Sequence, residues 1–407
     1  MPLALGMDSQ GATFGGVKSE CAAPAVQYRL VVVATHPIQY FAPWFRQLAT
    51  LAEIELTVIY LRQLDAAAQG VGFGQPFKWD VPLLEGYVHR EINVASGFLG
   101  ATHTYRALKG IFQLVSPQAV VVMGWNEPAL VAAAARASVP VLIRGDSNAL
   151  KQRSWLVRRY HVLLMKLYGA FLAVGSSNRE FYAANNVDVA KIFNVCHFVE
   201  NDRMLAMAAA HEAEARELRL LDHAQHETDV VFVFCGKHVP FKRPDWLVEA
   251  AGRLIAEGLP VRLRVAGSGE MTSQLKARCD ALNVPAHFTG FLNQTEMWRA
   301  YVGADVFVLP STNRETWGLV VNEAMLFGLP AIVSDEVGCG PDLVVEGETG
   351  WIFSGGLDGL VDCMRGAVAQ RIRLRPMGQA ARERVRQNYS MEVATYGLLQ
   401  AIKAVVK

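Results

Sequence analysis

The sequence predicts two doubly wound α/β domains in one chain, and three observations carry that expectation. Short β-branched runs alternate with helical stretches, as parallel strands joined by helical crossovers require. The strand-like runs are apolar on both faces, the pattern of strands covered by helices on each side. The alternation begins at Tyr28, pauses between about Glu200 and Thr228, and then starts again.

The first set of strands reads YRLVVVATH, IELTVIYL, AVVVMGW, VPVLIRGD and AFLAVG. The pause is filled by AMAAAHEAEARELRLL, a helical and polar-rich connector. DVVFVFCG, VRLRVAGSG, AHFTGF, DVFVLPS and PAIVSD make the second set. The closing stretch from Met377 is helical with a break near Asn388–Ser390. Ser390 can cap a last helix whose first turn holds Glu392, and that helix can cross back to the first domain. The expected boundaries are a loose tail (1–27), a first domain (28–200), a connector (201–227), a second domain (228–388) and a terminal helix (389–407). The tail lacks a basic start followed by an apolar stretch, so it does not read as a secretory signal; Met7 stays open as an alternative start.

Composition narrows the function. Apolar residues make up 52% and charged residues 19%, which describes a globular enzyme and excludes a disordered or fibrous chain. A formal net charge of +1 gives no global field for nucleic acid. The six cysteines are scattered without a CxxC pair, so neither a disulfide framework nor a zinc site is expected, and a cytoplasmic location fits. No apolar run approaches the ~20 residues of a membrane span.

The informative segment is VFVLPSTNRETWGLVVNEAMLFGLPAIVSD. A buried strand ends at Pro310-Ser311, a polar loop follows, and the pattern predicts a helix from about Trp317 to Phe327. In doubly wound sheets ligands sit beyond the carboxyl ends of the strands. Glu315 therefore stands at the mouth of a cleft, and Glu323 lies eight residues on. Two carboxylates so spaced can accept hydroxyl hydrogen bonds from both ends of a curled sugar nucleotide. The amides of Trp317, Gly318 and Leu319 open the helix, where free N–H groups favour phosphate.

This segment, PSxxRExWGLxxNEAMxxGxPxIxSD in outline, resembles the donor-site signature of family 4 retaining glycosyltransferases. Those enzymes have the GT-B fold, two Rossmann-like domains facing each other across a cleft. The resemblance implies that Glu315 contacts the sugar near the reacting carbon and Glu323 holds the ribose hydroxyls. It extends upstream to FCGKHVPFKRPDWLVEAAGRL, where Lys237 and Lys242 occupy the positions of two cations that neutralise the diphosphate. Gly267 and Ser268 fit a Gly-rich loop near the nucleotide, and Gly290-Phe291 match a segment whose backbone reads the base, though Phe291 can equally be core. The closing DEVGCGPDLVVEGETGWIF matches as well, so the likeness covers nearly all of the second domain.

The first domain matches less closely. THPIQYFAPWFRQLA replaces the Gly-rich loop that often follows the first strand, and His36 there can meet phosphate or acceptor, or pack on the next helix. Asn126 stands at or beside a position where many relatives carry a His; it can hydrogen-bond a sugar hydroxyl but cannot act as a base. Arg144, Asp146 and Ser147 can order an acceptor or form a turn. LKQRSWLVRRYHVLLMKLYGAF is basic and amphipathic, suited either to anionic lipid head groups or to solvent.

The resemblance implies transfer of a hexose-type sugar from a UDP- or GDP-sugar to a hydroxyl of a glycan or lipid-linked acceptor, with retention. No cofactor is expected. No DxD motif is present, so no metal is expected either, and protein cations would meet the phosphates. The rivals are a catalytically silent GT-B subunit regulating a partner enzyme, a GT-B sugar-nucleotide epimerase and a phosphorylase.

Overall fold

A computed structural model describes residues 27–406, apart from Gln152, Glu227 and Asn313. The expected tail, and Cys21 with it, lies outside the described residues except for Gln27. The first sheet contains β1 (Tyr28–Ala34), β2 (Ile54–Tyr60), β3 (Val88–Glu91), β4 (Ala119–Val122), β5 (Val141–Ile143), β6 (Ala170–Ala173) and β7 (Ile192–Asn194). Their order is β3-β2-β1-β4-β5-β6-β7, parallel throughout. The second sheet contains β8 (Val230–Cys235), β9 (Val261–Ala266), β10 (Ala286–Gly290), β11 (Val306–Leu309), β12 (Ala331–Ser334) and β13 (Gly350–Phe353). Its order is β10-β9-β8-β11-β12-β13, again parallel. The chain thus has two Rossmann-like α/β domains.

Strand alternation builds the cores. Along β1, Val31 and Val33 join one apolar cluster while Leu30, Val32 and Ala34 join another on the opposite face. β3 and β7 escaped the sequence reading because they are short edge strands. VHRE in β3 is partly open to solvent and carries charges, so it lacks the continuous apolar run of a central strand.

The connector forms two helices, Asn201–Ala210 and Ala215–Leu221. Met204 and Leu218 from them enter the core of the second domain. The last helix, Met391–Val405, packs on the first domain instead: Ala394, Leu398, Ala401 and Ile402 share a cluster with β1 and β2. Ser390 caps it through the amide of Val393, and Trp44 Nε1 donates to Thr395 Oγ1 at 2.9 Å. No described helix is long and apolar enough to cross a membrane.

Candidate functional site

The carboxyl ends of both sheets face each other. Between them lies a cavity of about 260 Å³, lined by Gln39, Tyr40, Phe73 and Trp79 from the first domain. Lys237, Gly267, Phe291 and Glu323 line it from the second.

Lys237 follows β8. Burial, and then the charge of Lys242, push its ammonium below the ordinary lysine value. Two cations held close together in this way favour an anion between them. Lys242 is ion-paired with Glu315, which also accepts from Ser311 Oγ at 3.0 Å. This pair stands outside the lining of the 260 Å³ cavity.

Gly267 has φ +115, and a Cβ there would run into the carbonyl of Gly236, so the two Gly loops touch backbone to backbone. Ser268 Oγ donates to Phe73 O, and Gly290 O accepts from the amide of Gly267 at 2.8 Å.

The signature helix spans Leu319–Leu326, two residues later than the sequence pattern suggests. Gly318 precedes it at φ +100, a left-handed conformation that ends the polar loop and suits only glycine. The Trp317 side chain is buried, donating to Asn322 Oδ1 at 2.9 Å and packing near His197 and Tyr389. It belongs to the seam between the domains; from this turn it is Val320 that reaches the cavity. Glu323 is 1% exposed. Its oxygens accept from Tyr40 Oη at 3.1 Å and Tyr301 Oη at 2.8 Å. Burial raises its pKa against the opposing pull of those two hydroxyls. A carboxylate has about four lone-pair sites, so room for further donors remains.

The first-domain side is a second cavity of about 210 Å³, lined by Thr35, Asn126, Arg144, Asp146 and Ser147 among others. Asn126 is exposed to it. Arg144 is only 2% exposed. Its guanidinium lies 4.9 Å from the ring of Phe41 and 5.6 Å from that of Phe198, and it donates to Cys196 O at 3.2 Å. It is thus a nearly buried part of the cavity lining, held by rings that the sequence spaces 157 positions apart, with Nε and Nη1 lacking a protein partner.

Asp146 is 47% exposed by its side chain and lies 3.3 Å from His197 Nε2. Burial works against its charge, yet His197 and then Arg144 hold its carboxyl below the usual value. Burial keeps the His197 imidazole below its ordinary pKa. His36 lines neither cavity; its Nδ1 stands 3.0 Å from Thr35 Oγ1, and burial followed by Arg62 lowers its pKa.

The structure therefore gathers Lys237, Gly267, Phe291 and Glu323 around one cavity, and Asn126, Arg144 and Asp146 around another. Tyr40 and His197 were not singled out from the sequence. Tyr40 had one signal, its place in the loop after the first strand; His197 had only its place after an unrecognised edge strand. Among the described residues, no group of three or more His, Cys, Asp or Glu is placed to hold a metal ion.

Residues 220–384 match the family described as glycosyl transferases group 1. Among similar proteins, the sulfoquinovosyl transferase SQD2 of Arabidopsis thaliana is 37% identical over 146 residues, 35% of this chain and 28% of that protein. A D-inositol 3-phosphate glycosyltransferase of Rhodococcus erythropolis is 31% identical over 187 residues, covering 43% of this chain and 41% of that one. The matched stretches thus span less than half of these relatives.

The likeness in fold covers more than nine-tenths of the chain. A glycosyltransferase from Rickettsia africae superposes with a TM-score of 0.72 at 14% identity, covering 94% of this chain and 99% of its own. Anabaena Alr3699/HepE, solved with UDP and glucose, superposes with a TM-score of 0.69 at 14% identity, covering 93% and 100%. The protein is accordingly a two-domain chain of the GT-B fold in which residues 220–384 match the glycosyl transferases group 1 family.

Proposed function

We propose that the chain is a retaining, metal-independent hexosyltransferase that uses a UDP- or GDP-sugar as donor. The observation that carries this reading is the pair of cations beyond β8, one lining the interdomain cavity and the other joined to Glu315. A departing nucleoside diphosphate gains negative charge, and preorganised cations stabilise it most in a site closed to water. Lys237 and Lys242 would take the diphosphate, Glu323 the ribose, and Glu315 the sugar beside the breaking bond. Asn126 and Asp146 would order the acceptor hydroxyl from the facing cavity. With retention, that hydroxyl approaches on the face of the leaving group, whose phosphate oxygen would take its proton.

We place the acceptor, a glycan or lipid-linked glycan, at the inner face of an anionic membrane. The helix Trp155–Met165 exposes Trp155 by 67% and Leu163 by 62%, and the two residues share a groove with Arg158 and Arg159. A tryptophan ring and a leucine beside two cations suit the boundary between head groups and acyl chains. Arg153 takes no part, because it turns inward over Phe181 and donates to Asn148 O.

Incubating the purified chain with UDP- and GDP-hexoses and a lipid-linked glycan, with excess EDTA, tests the reading. Release of nucleoside diphosphate with a product of retained anomeric configuration is expected. Activity that appears only with magnesium or manganese, or inversion in the product, would overturn the corresponding part.

A further inference from the structure

The stretch between β2 and β3 leaves the first domain and lies across the second. Lys237 Nζ donates to Val71 O at 2.7 Å, and Ser268 Oγ to Phe73 O at 2.7 Å. Asn293 Nδ2 donates to Lys78 O at 2.7 Å, and Thr295 donates to Asp80 through both its amide and its hydroxyl. These partners sit in the loops that follow β8, β9 and β10, so the strap crosses three carboxyl ends of the second sheet. At Gly72 a Cβ would stand 2.8 Å from Lys237 Cδ, so the strap backbone comes right up to that lysine.

Its side chains converge on the same place. Phe73 and Phe77 pack on Phe291 with centroids 5.0 and 4.5 Å apart, and Trp79 packs on Phe77 at 4.8 Å. Phe73, Trp79 and Phe291 line the 260 Å³ cavity together with Lys237. Gln69 lines it too. Its Nε2 donates to Leu64 O at 3.1 Å, while its Oε1 is buried without a partner.

Rings and an ammonium share this cavity, with Lys237 Nζ 5.1 Å from the centroid of the Phe73 ring, and a nucleobase with its phosphates calls for both. Every base offers a face for stacking on aromatic side chains. An ammonium has three donors, so the bond to Val71 leaves two for phosphate, and the strap can stay in place when the ligand arrives. The orphaned Gln69 oxygen lacks an N–H or O–H donor, which a nucleoside carries on its base and ribose. The cavity falls just below the ~300–1,000 Å³ of small-molecule pockets, enough for part of the donor and leaving the sugar outside, toward Glu315.

We propose that residues 69–80 of the first domain form the outer wall of the donor's base site, with Phe73 and Trp79 against the base and Gln69 Oε1 accepting from the nucleoside. This rests on the nucleotide-sugar reading above. Because the wall belongs to the opposite domain, a bound nucleotide would bridge the two domains.

Isothermal titration of the full chain with UDP, GDP and ADP tests the assignment, on the unmodified protein, on Phe73→Ala/Trp79→Ala and on Gln69→Leu. The unmodified chain should bind one diphosphate in preference to the others. The double variant should bind it about ten-fold or more weakly, with the preference among bases reduced, since stacking is lost. Gln69→Leu, which removes the orphaned acceptor together with the Nε2 bond to Leu64 O, should weaken it several-fold; it carries the test if the double variant does not fold. Unchanged affinity in either folded variant, beside normal binding by the unmodified chain, overturns the strap assignment alone. No binding of any of the three nucleotides by the unmodified chain overturns the donor-site reading and the strap with it.

Discussion

Asp342 of the second domain caps a helix of the first. Both its carboxylate oxygens stand 3.0 Å from the amide nitrogen of Ser176, and Ser176 Oγ donates to Oδ2 at 2.7 Å. Ser176 opens the helix Ser176–Ala184, so the carboxylate meets the positive end of that helix. Tyr389 and Arg384 hold the Asp342 carbonyl from behind. Replacing Asp342 with Ala should remove charge-assisted bonds of about 1.5–3 kcal/mol and let the domains part. Small-angle scattering should show a larger radius of gyration than for the unmodified chain; identical profiles would mean that this clasp does not hold the cleft.

Lys237 and Lys242 should differ in how they fail. Either lysine changed to Ala should slow transfer roughly 10²–10³-fold, by analogy with loss of an oxyanion donor. Lys242→Ala also strips Glu315 of its ion-pair partner, and should therefore lower thermal stability, whereas Lys237→Ala loses a neutral bond to the strap and a contact with the Phe73 ring. Steady-state kinetics beside thermal melts check both halves. Unchanged transfer in both variants would remove these residues from the donor site.

The two glutamates should separate in kcat and KM. Glu323, holding ribose alike in ground and transition states, should on change to Gln mainly raise the donor KM. Its fold should survive, because a Gln oxygen can accept one tyrosine bond and the other hydroxyl can turn to accept. Glu315→Gln should cut turnover about 10²-fold or more while the free diphosphate binds almost normally. Normal turnover in Glu315→Gln with none in Glu323→Gln would reverse the assigned roles.

Acid should destabilise the fold through His238. The side chain is fully buried, with Nδ1 2.9 Å from Thr272 Oγ1, and burial pushes its pKa down to about 4 from 6.5. The unfolded chain takes the proton near pH 6.5, and the folded one resists until about 4. Stability is therefore full above pH 6.5 and falls as pH drops toward 4, by up to about 3 kcal/mol at 1.36 kcal/mol per pKa unit. His36 and His197, also lowered, act in the same direction. Denaturant unfolding across this range should show the fall, with a shallower slope in His238→Asn; equal slopes would assign the acid sensitivity elsewhere.

The sequence by itself determined the class of both domains, the central strands of both sheets and the segment from Pro310 to Asp335. Each of these is written locally. A strand covered on both faces needs an unbroken apolar run, a helix capped by Ser390 needs that residue at its start, and the turn before Leu319 needs Gly318. Edge strands such as β3 were illegible for the same reason, since a half-solvated VHRE carries no such run.

Only the tertiary structure decided which loops meet across the cleft. Tyr40 reaches Glu323 over 283 positions of sequence, and Lys237 reaches Val71 over 166. Neither contact leaves a periodicity, because each depends on how one folded domain is set against the other. The same holds inside the first domain, where Arg144 reads as a polar residue at a strand end and is in fact enclosed by Phe41 and Phe198. Patterns along the chain report how each element is buried; the partner that does the burying is set by docking preformed surfaces, and that information exists only in three dimensions.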